Sequence, residues 1–210
     1  MRSSRNCPTG AAAANCERHV ITAEDITALF QKQLSSIENE TTRKQTVATW
    51  VEAAKLGGWQ SVDDLKTMPF TLLTNTHGIS LVEHTIAVTE GALALARKQE
   101  TAYARMPYKV NTDRLIAGGL LHDVGKLVET EKDGQGGFRK SRRGMYARHP
   151  ISGAILAARC GLSDDIVNTI ACHAREGDGA PKVLETVLIH QADFATFDPL
   201  VMLEKGQLIV

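Results

Sequence analysis

Aromatic residues make up only 5% of this 210-residue chain, and an excess of either charge is missing: lysine plus arginine equals aspartate plus glutamate at 24 each. A neutral chain gets no help from its overall field in binding nucleic acid, so any anion site must be local. Cysteine is sparse too. Cys7, Cys16, Cys160 and Cys172 form no C-x-x-C pair, which suits a reducing compartment better than a disulfide scaffold. Cys7, Cys16 and His19 match no common zinc spacing. No apolar run approaches the roughly 18 residues of a membrane span. The first 20 residues carry basic side chains but an apolar stretch of only four alanines, too short for a signal peptide. They read as a flexible leader, and the protein as cytoplasmic with no membrane partner.

What is present is helical pattern, almost throughout. Thr22 with Asp25 three residues on looks like an N-cap opening a helix over 23–40. A second helix, over 42–56, should end at Gly57-Gly58, and Ser61 with Asp64 should start a short third one before Pro69. A long apolar helix runs from about Ser80 to Lys98, and Asn111 or Thr112 caps the next, which carries "AGGLLHDVGKLVE" (117–129). Residues 130–146 hold four glycines among many charged and amide side chains, and read as a flexible surface loop. Pro150 sits at a helix N1 position, Ser163 caps a further helix, residues 182–196 make another, and Asp198-Pro199 opens a last short one. Neither β alternation nor an internal repeat is evident. The chain divides into the leader (1–20), a helical extension (21–70) and a helical bundle (71–210).

The chemistry lies in the histidines. His84, His122, His149 and His173 fall on four separate predicted helices or their starts, each within apolar sequence. Singly, such a histidine is more often a hydrogen-bonded core residue than a ligand. Four of them, with Asp123 and Asp193 also in apolar helices, are different. Six scattered buried polar groups would each need a partner, whereas one shared metal centre satisfies all six. Neighbouring helical residues point about 100° apart, so His122 and Asp123 can both reach an ion lying between them. Lys126, three residues after Asp123, shares its face; it can meet a bound phosphate or serve a helix C-terminal dipole. Arg139, Lys140, Arg142, Arg143 and Arg148 lead to His149 with no acid among them, either as a solvated loop or as an anion-attracting rim. His77, at the mouth of the His84 helix, is a further candidate substrate contact, or a plain turn histidine.

The order H…HD…H…H…D, centred on "HDVGK", resembles the HD superfamily of metal-dependent phosphohydrolases. "SLVEHTIAV", "NTDRLIAGGLLHDVGKLVE", "RHPISGA" and "GAPKVLETVLIHQADF" are similar to the HD domains of bacterial 3′-to-5′ exoribonucleases and related phosphodiesterases, in register over about residues 77–198. The resemblance implies an all-α HD-domain bundle with a short helical N-terminal extension. It implies that His84, His122, Asp123 and Asp193 hold a first metal, and that Asp123 bridges to a second completed by His149 and His173. Asp123 and Lys126 would be catalytic, and Lys126, Arg148 and His77 would contact the substrate. Four imidazoles and two carboxylates suit two divalent ions among Fe, Mn, Co, Ni or Zn. The implied substrate is a nucleotide, another small phosphate ester or a short oligonucleotide, and a homo-oligomer is left open. The alternative enzyme is a mixed-valent di-iron HD oxygenase that uses O₂ to cleave a C–C or C–P bond. A degenerate binding module is the third reading, and the intact ligand set argues against it.

Overall fold

A computed structural model describes residues 20–209. The proposed leader and the Cys7, Cys16 and His19 grouping lie outside the described residues. The order is α1 (Ala23–Leu29), α2 (Gln31–Leu34), α3 (Glu40–Gly57), α4 (Val62–Thr67), α5 (Leu81–Ala102), α6 (Thr112–Leu121), α7 (Lys126–Glu129), β1 (Thr130–Lys132), β2 (Phe138–Lys140), α8 (Arg142–Tyr146), α9 (His149–Arg159), α10 (Asp164–Cys172) and α11 (Leu184–Glu204). The fold is all-α apart from one two-stranded hairpin.

Local chemistry accounts for most helix starts. Thr22 and Asp25 form a reciprocal capping box, Ser80 and Glu83 form a second, and Asn39, Ser61 and Asn111 accept from backbone N–H groups at the starts of α3, α4 and α6. Gly58 ends α3 in the left-handed region, at φ 78°, where a glycine meets no steric penalty. The expected first helix is broken at Phe30, whose ring is buried against Trp50 with centroids 4.9 Å apart. Tertiary packing outweighs the local pattern there.

Three other departures bear on the site. First, α6 stops at Leu121, so His122 to Gly125 form a tight turn before α7 rather than the middle of one helix. The carbonyls this break releases find side-chain partners: Gly119 O takes His122 Nδ1 (2.7 Å), and Leu120 O accepts from Trp50 Nε1 (2.8 Å). Beyond the turn, Leu127 O accepts from Trp59 Nε1 (2.7 Å). Tryptophans from α3 and just after it thus brace both sides of the HD turn. Second, residues 130–146 are not a loop. They form the antiparallel β1–β2 hairpin followed by α8, because the Asp133 carboxylate accepts from Gln135 N and Gly137 N while Gly134 and Gly136 take positive φ. Third, α11 runs unbroken through Pro199, where a separate short helix was expected.

One continuous core contains Ile26, Trp50 and Leu65 alongside Leu115, Leu120, Ile170 and Ile189. No helix among the described residues is long and apolar enough to cross a membrane.

Candidate metal centre

Close backbone approach brings the ligand-bearing elements together. A side chain at Gly125 would place its Cβ 2.1 Å from His149 O and 2.7 Å from Gly153 N, so only glycine lets α9 seat its first residue against the HD turn. At Gly119 a Cβ would fall 2.7 Å from Thr89 Oγ1. That clearance lets α5, with His84, lie against α6.

The six residues singled out in the sequence converge. His84, His122, Asp123 and Asp193 form one group able to hold a metal ion, and Asp123, His149 and His173 form another; within each, the ligand atoms all lie within 4.8 Å of one another. Asp123 belongs to both. His84 Nε2 is 3.3 Å from Asp123 Oδ2 and 3.1 Å from Asp193 Oδ1, and His149 Nε2 is 3.2 Å from Asp123 Oδ1. His84, His122, Asp123, His149 and His173 are buried.

The hydrogen bonding fits a metal. His122 and His173 turn Nδ1 to the carbonyls of Gly119 (2.7 Å) and Ile170 (2.8 Å), which assigns the N–H to Nδ1 and leaves each Nε2 a bare lone pair facing inward. His122 Nε2 lies 3.5 Å from His84 Nε2. Asp123 Oδ1 and His173 Nε2 are buried without a hydrogen-bond partner. Such atoms are costly to bury unless something binds them.

The electrostatics agree. Burial pushes the Asp123 carboxyl up, but Lys126 and the facing His122 outweigh it and hold the group well below the usual carboxylate range. Burial likewise opposes ionisation of Asp193, yet the His84 hydrogen bond holds it at about 2. Burial depresses the His149 imidazole to about 4 despite Glu129, so it is neutral near pH 7 and free to donate a lone pair. Burial also lowers His84, but its bonds to Asp123 and Asp193 prevail and raise it. Both carboxylates are therefore ionised and His149 is unprotonated, the forms that ligate metals.

The centre opens on a cavity of about 700 Å³. One wall is apolar: Phe70, Leu72 and Leu73 from the segment before α5, and Phe194, Phe197 and Val201 from α11. Phe70 stacks on the His84 ring at 4.1 Å and meets Phe197 edge-on at 6.4 Å, joining this wall to the metal group. Charged residues line it too: Lys126, Lys140, Arg148 and Arg175, with Glu129 and Glu176. Lys126 Nζ sits 2.6 Å from Asp123 Oδ2 and lines the cavity. Of the five cations before His149, Lys140 and Arg148 line the cavity; Arg139 pairs with Glu131 across the hairpin, and Arg142 and Arg143 are exposed on α8. His77 does not line it and sits in an exposed turn at φ 51°. Glu129, Arg175 and the phenylalanine wall were not picked out from the sequence. Glu129 had one local cue: it is an acid three residues beyond Lys126, at the end of an apolar stretch.

Comparison with known proteins places the same stretch. The family model described as HD domain matches residues 81–195. Curated relatives named Ribonuclease Y align as well. That of Thermotoga maritima is 32% identical over 118 residues, 56% of this chain and 18% of the relative, and that of Desulforudis audaxviator is 35% identical over 107 residues, 49% and 18%. The Ribonuclease Y of Fervidobacterium nodosum is 25% identical over 168 residues, 80% of this chain and 27% of the relative. The chain spans less than a third of the length of these relatives. No solved structure matches it significantly. With the HD model lying over more than half of the chain and enclosing His84, His122, Asp123, His149, His173 and Asp193, this protein belongs to the HD superfamily of metal-dependent phosphohydrolases.

Proposed function

We propose that the protein hydrolyses a nucleotide or another small phosphate ester with a water activated by two divalent ions. The observation that carries this is the sharing of Asp123 between two metal-competent groups, beside a cavity whose lining includes Lys126, Lys140, Arg148 and Arg175. In this reading His84, His122, Asp123 and Asp193 hold one ion, and Asp123, His149 and His173 the other. Bound divalent ions supply Lewis acidity and a water of lowered pKa.

The chain's own residues do the rest. Lys126 balances the buried Asp123 charge and reaches the cavity, where it meets a phosphate oxygen. Arg148, Lys140 and Arg175, which also line the cavity, draw the anion in. Phe70, buried behind the metal groups, helps exclude water, while the half-buried Phe194 and Phe197 offer apolar contact to a nucleobase or another planar group. The cavity's size suits a mononucleotide or a short oligonucleotide. The name of the relatives supports a phosphodiester as the bond cut. The chemistry of the donors allows Fe, Mn, Co, Ni or Zn.

The test is release of product from a panel of nucleotides, dinucleotides and activated phosphodiesters by protein loaded in turn with each metal. Turnover by the wild type, lost in Asp123→Ala, supports the assignment. A panel left intact under every metal refutes it.

A further inference from the structure

We infer that Glu129 is a positioning residue that fixes the His149 imidazole for the second ion; the inference rests on the two-ion reading above. The four inward-facing histidines are not held alike. His122 and His173 each turn Nδ1 to the carbonyl three residues back, in the helix that each directly follows, and His84 Nδ1 lies 3.3 Å from Thr196 Oγ1. His149 is the first residue of α9, so no preceding turn of its own helix offers a carbonyl. Its Nδ1 goes instead to a carboxylate, Glu129 Oε2, at 2.7 Å. The same oxygen accepts the His149 backbone N–H, also at 2.7 Å. Ring and backbone of one residue are thereby clamped by a single atom from α7.

A carboxylate has a physical reason to stand there. The N-terminus of the eleven-residue α9 carries partial positive charge, which withdraws electron density from an imidazole placed on it. An anion on Nδ1–H restores the donor strength of Nε2 and fixes its tautomer. Glu129 Oε1, on its other side, lies 3.5 Å from both Lys140 Nζ and Arg148 Nε, so its negative charge is held in place. The side chain is only 13% exposed. No other glutamate or aspartate contacts the Nδ1 of a candidate ligand histidine among the described residues.

Titration calorimetry of the stripped full chain with Mn²⁺ tests this without measuring catalysis. Wild type should take up two ions. Glu129→Ala should weaken one binding event by about 10- to 100-fold and leave the other within about twofold. Glu129→Gln, which keeps the size and one carbonyl acceptor, should recover part of that loss, and should decide alone if Glu129→Ala does not fold. A merely structural role would weaken both events together and would not be graded from glutamine to alanine. Unchanged affinities in both variants, or equal weakening of both ions, overturn the inference while the two-ion wild type stands. A wild type that binds one ion refutes the two-ion reading itself, and the inference with it.

Discussion

Lys126 Nζ reaches Asp123 Oδ2 at 2.6 Å and also sits 5.6 Å from the Phe70 ring centre, on the cavity side of the metal groups. Its spacing from Asp123 was legible because i and i+3 share a face even through a tight turn of helical residues. In the proposed reaction its charge counts most when the phosphoryl group gains negative charge. Lys126→Ala should therefore retain its metal by elemental analysis but lose about 2 kcal/mol or more of transition-state stabilisation in kcat/KM. Gly125 is the other decisive single position. Gly125→Ala forces a Cβ to within 2.1 Å of the His149 carbonyl, and relieving that overlap means moving α9. It should cost about 1–3 kcal/mol by thermal or denaturant unfolding and weaken metal retention together with stability. All six candidate ligands could be read from the sequence, because charged or ionisable residues within apolar helices need a reason. Glu129, Phe70, Phe197 and Arg175 could not. Each gains its role from what folds against it; the one local cue, an acid at 129 three residues beyond Lys126, does not point to His149.

Among the elements, those with local signals came through and those made by distant contacts did not. The caps at Thr22, Ser61, Ser80 and Asn111 act within three residues and were readable. The break after Leu121 was not, because its carbonyls are satisfied from 70 residues away by Trp50. The hairpin depends on the Asp133 carboxylate closing its turn, within a stretch whose glycines and charges resemble loop composition. The unbroken α11 has tertiary contacts on both sides of Pro199: Phe197 and Val201 line the cavity, and Glu204 accepts from Thr74 Oγ1 and Asn75 N in the segment before α5. The tryptophan braces give a test at this scale. Trp50→Phe keeps most of the ring but leaves the buried Leu120 carbonyl without its donor. It should lower stability by about 1–3 kcal/mol in denaturant unfolding. An unchanged midpoint would mean that the carbonyl finds another donor and that α3 does not hold the HD turn.

At the scale of the whole molecule, the metal groups lie where α5, α6, α9, α10 and α11 meet, so ion binding and folding are coupled. Removing the ions leaves the inward-facing lone pairs and the partnerless Asp123 Oδ1 and His173 Nε2 unsatisfied in the core. For metal present at about 100 times its Kd, linkage gives about 2.7 kcal/mol of stabilisation. Chelation should thus lower the melting temperature of a chain this size by about 5–10 °C. An identical melting curve after verified removal would mean that the six groups are satisfied without metal. In the proposed reaction the ions would activate water for attack on phosphorus. The same six ligands could instead support an iron-dependent oxygenase, and the two reactions differ in what they consume. The most direct measurement compares phosphate-ester hydrolysis by metal-loaded protein in air and under strict anaerobiosis. Hydrolysis should proceed at equal rates, with no O₂ taken up. Hydrolysis absent under both conditions, alongside iron-dependent O₂ consumption with an organic phosphonate or polyol, would contradict it.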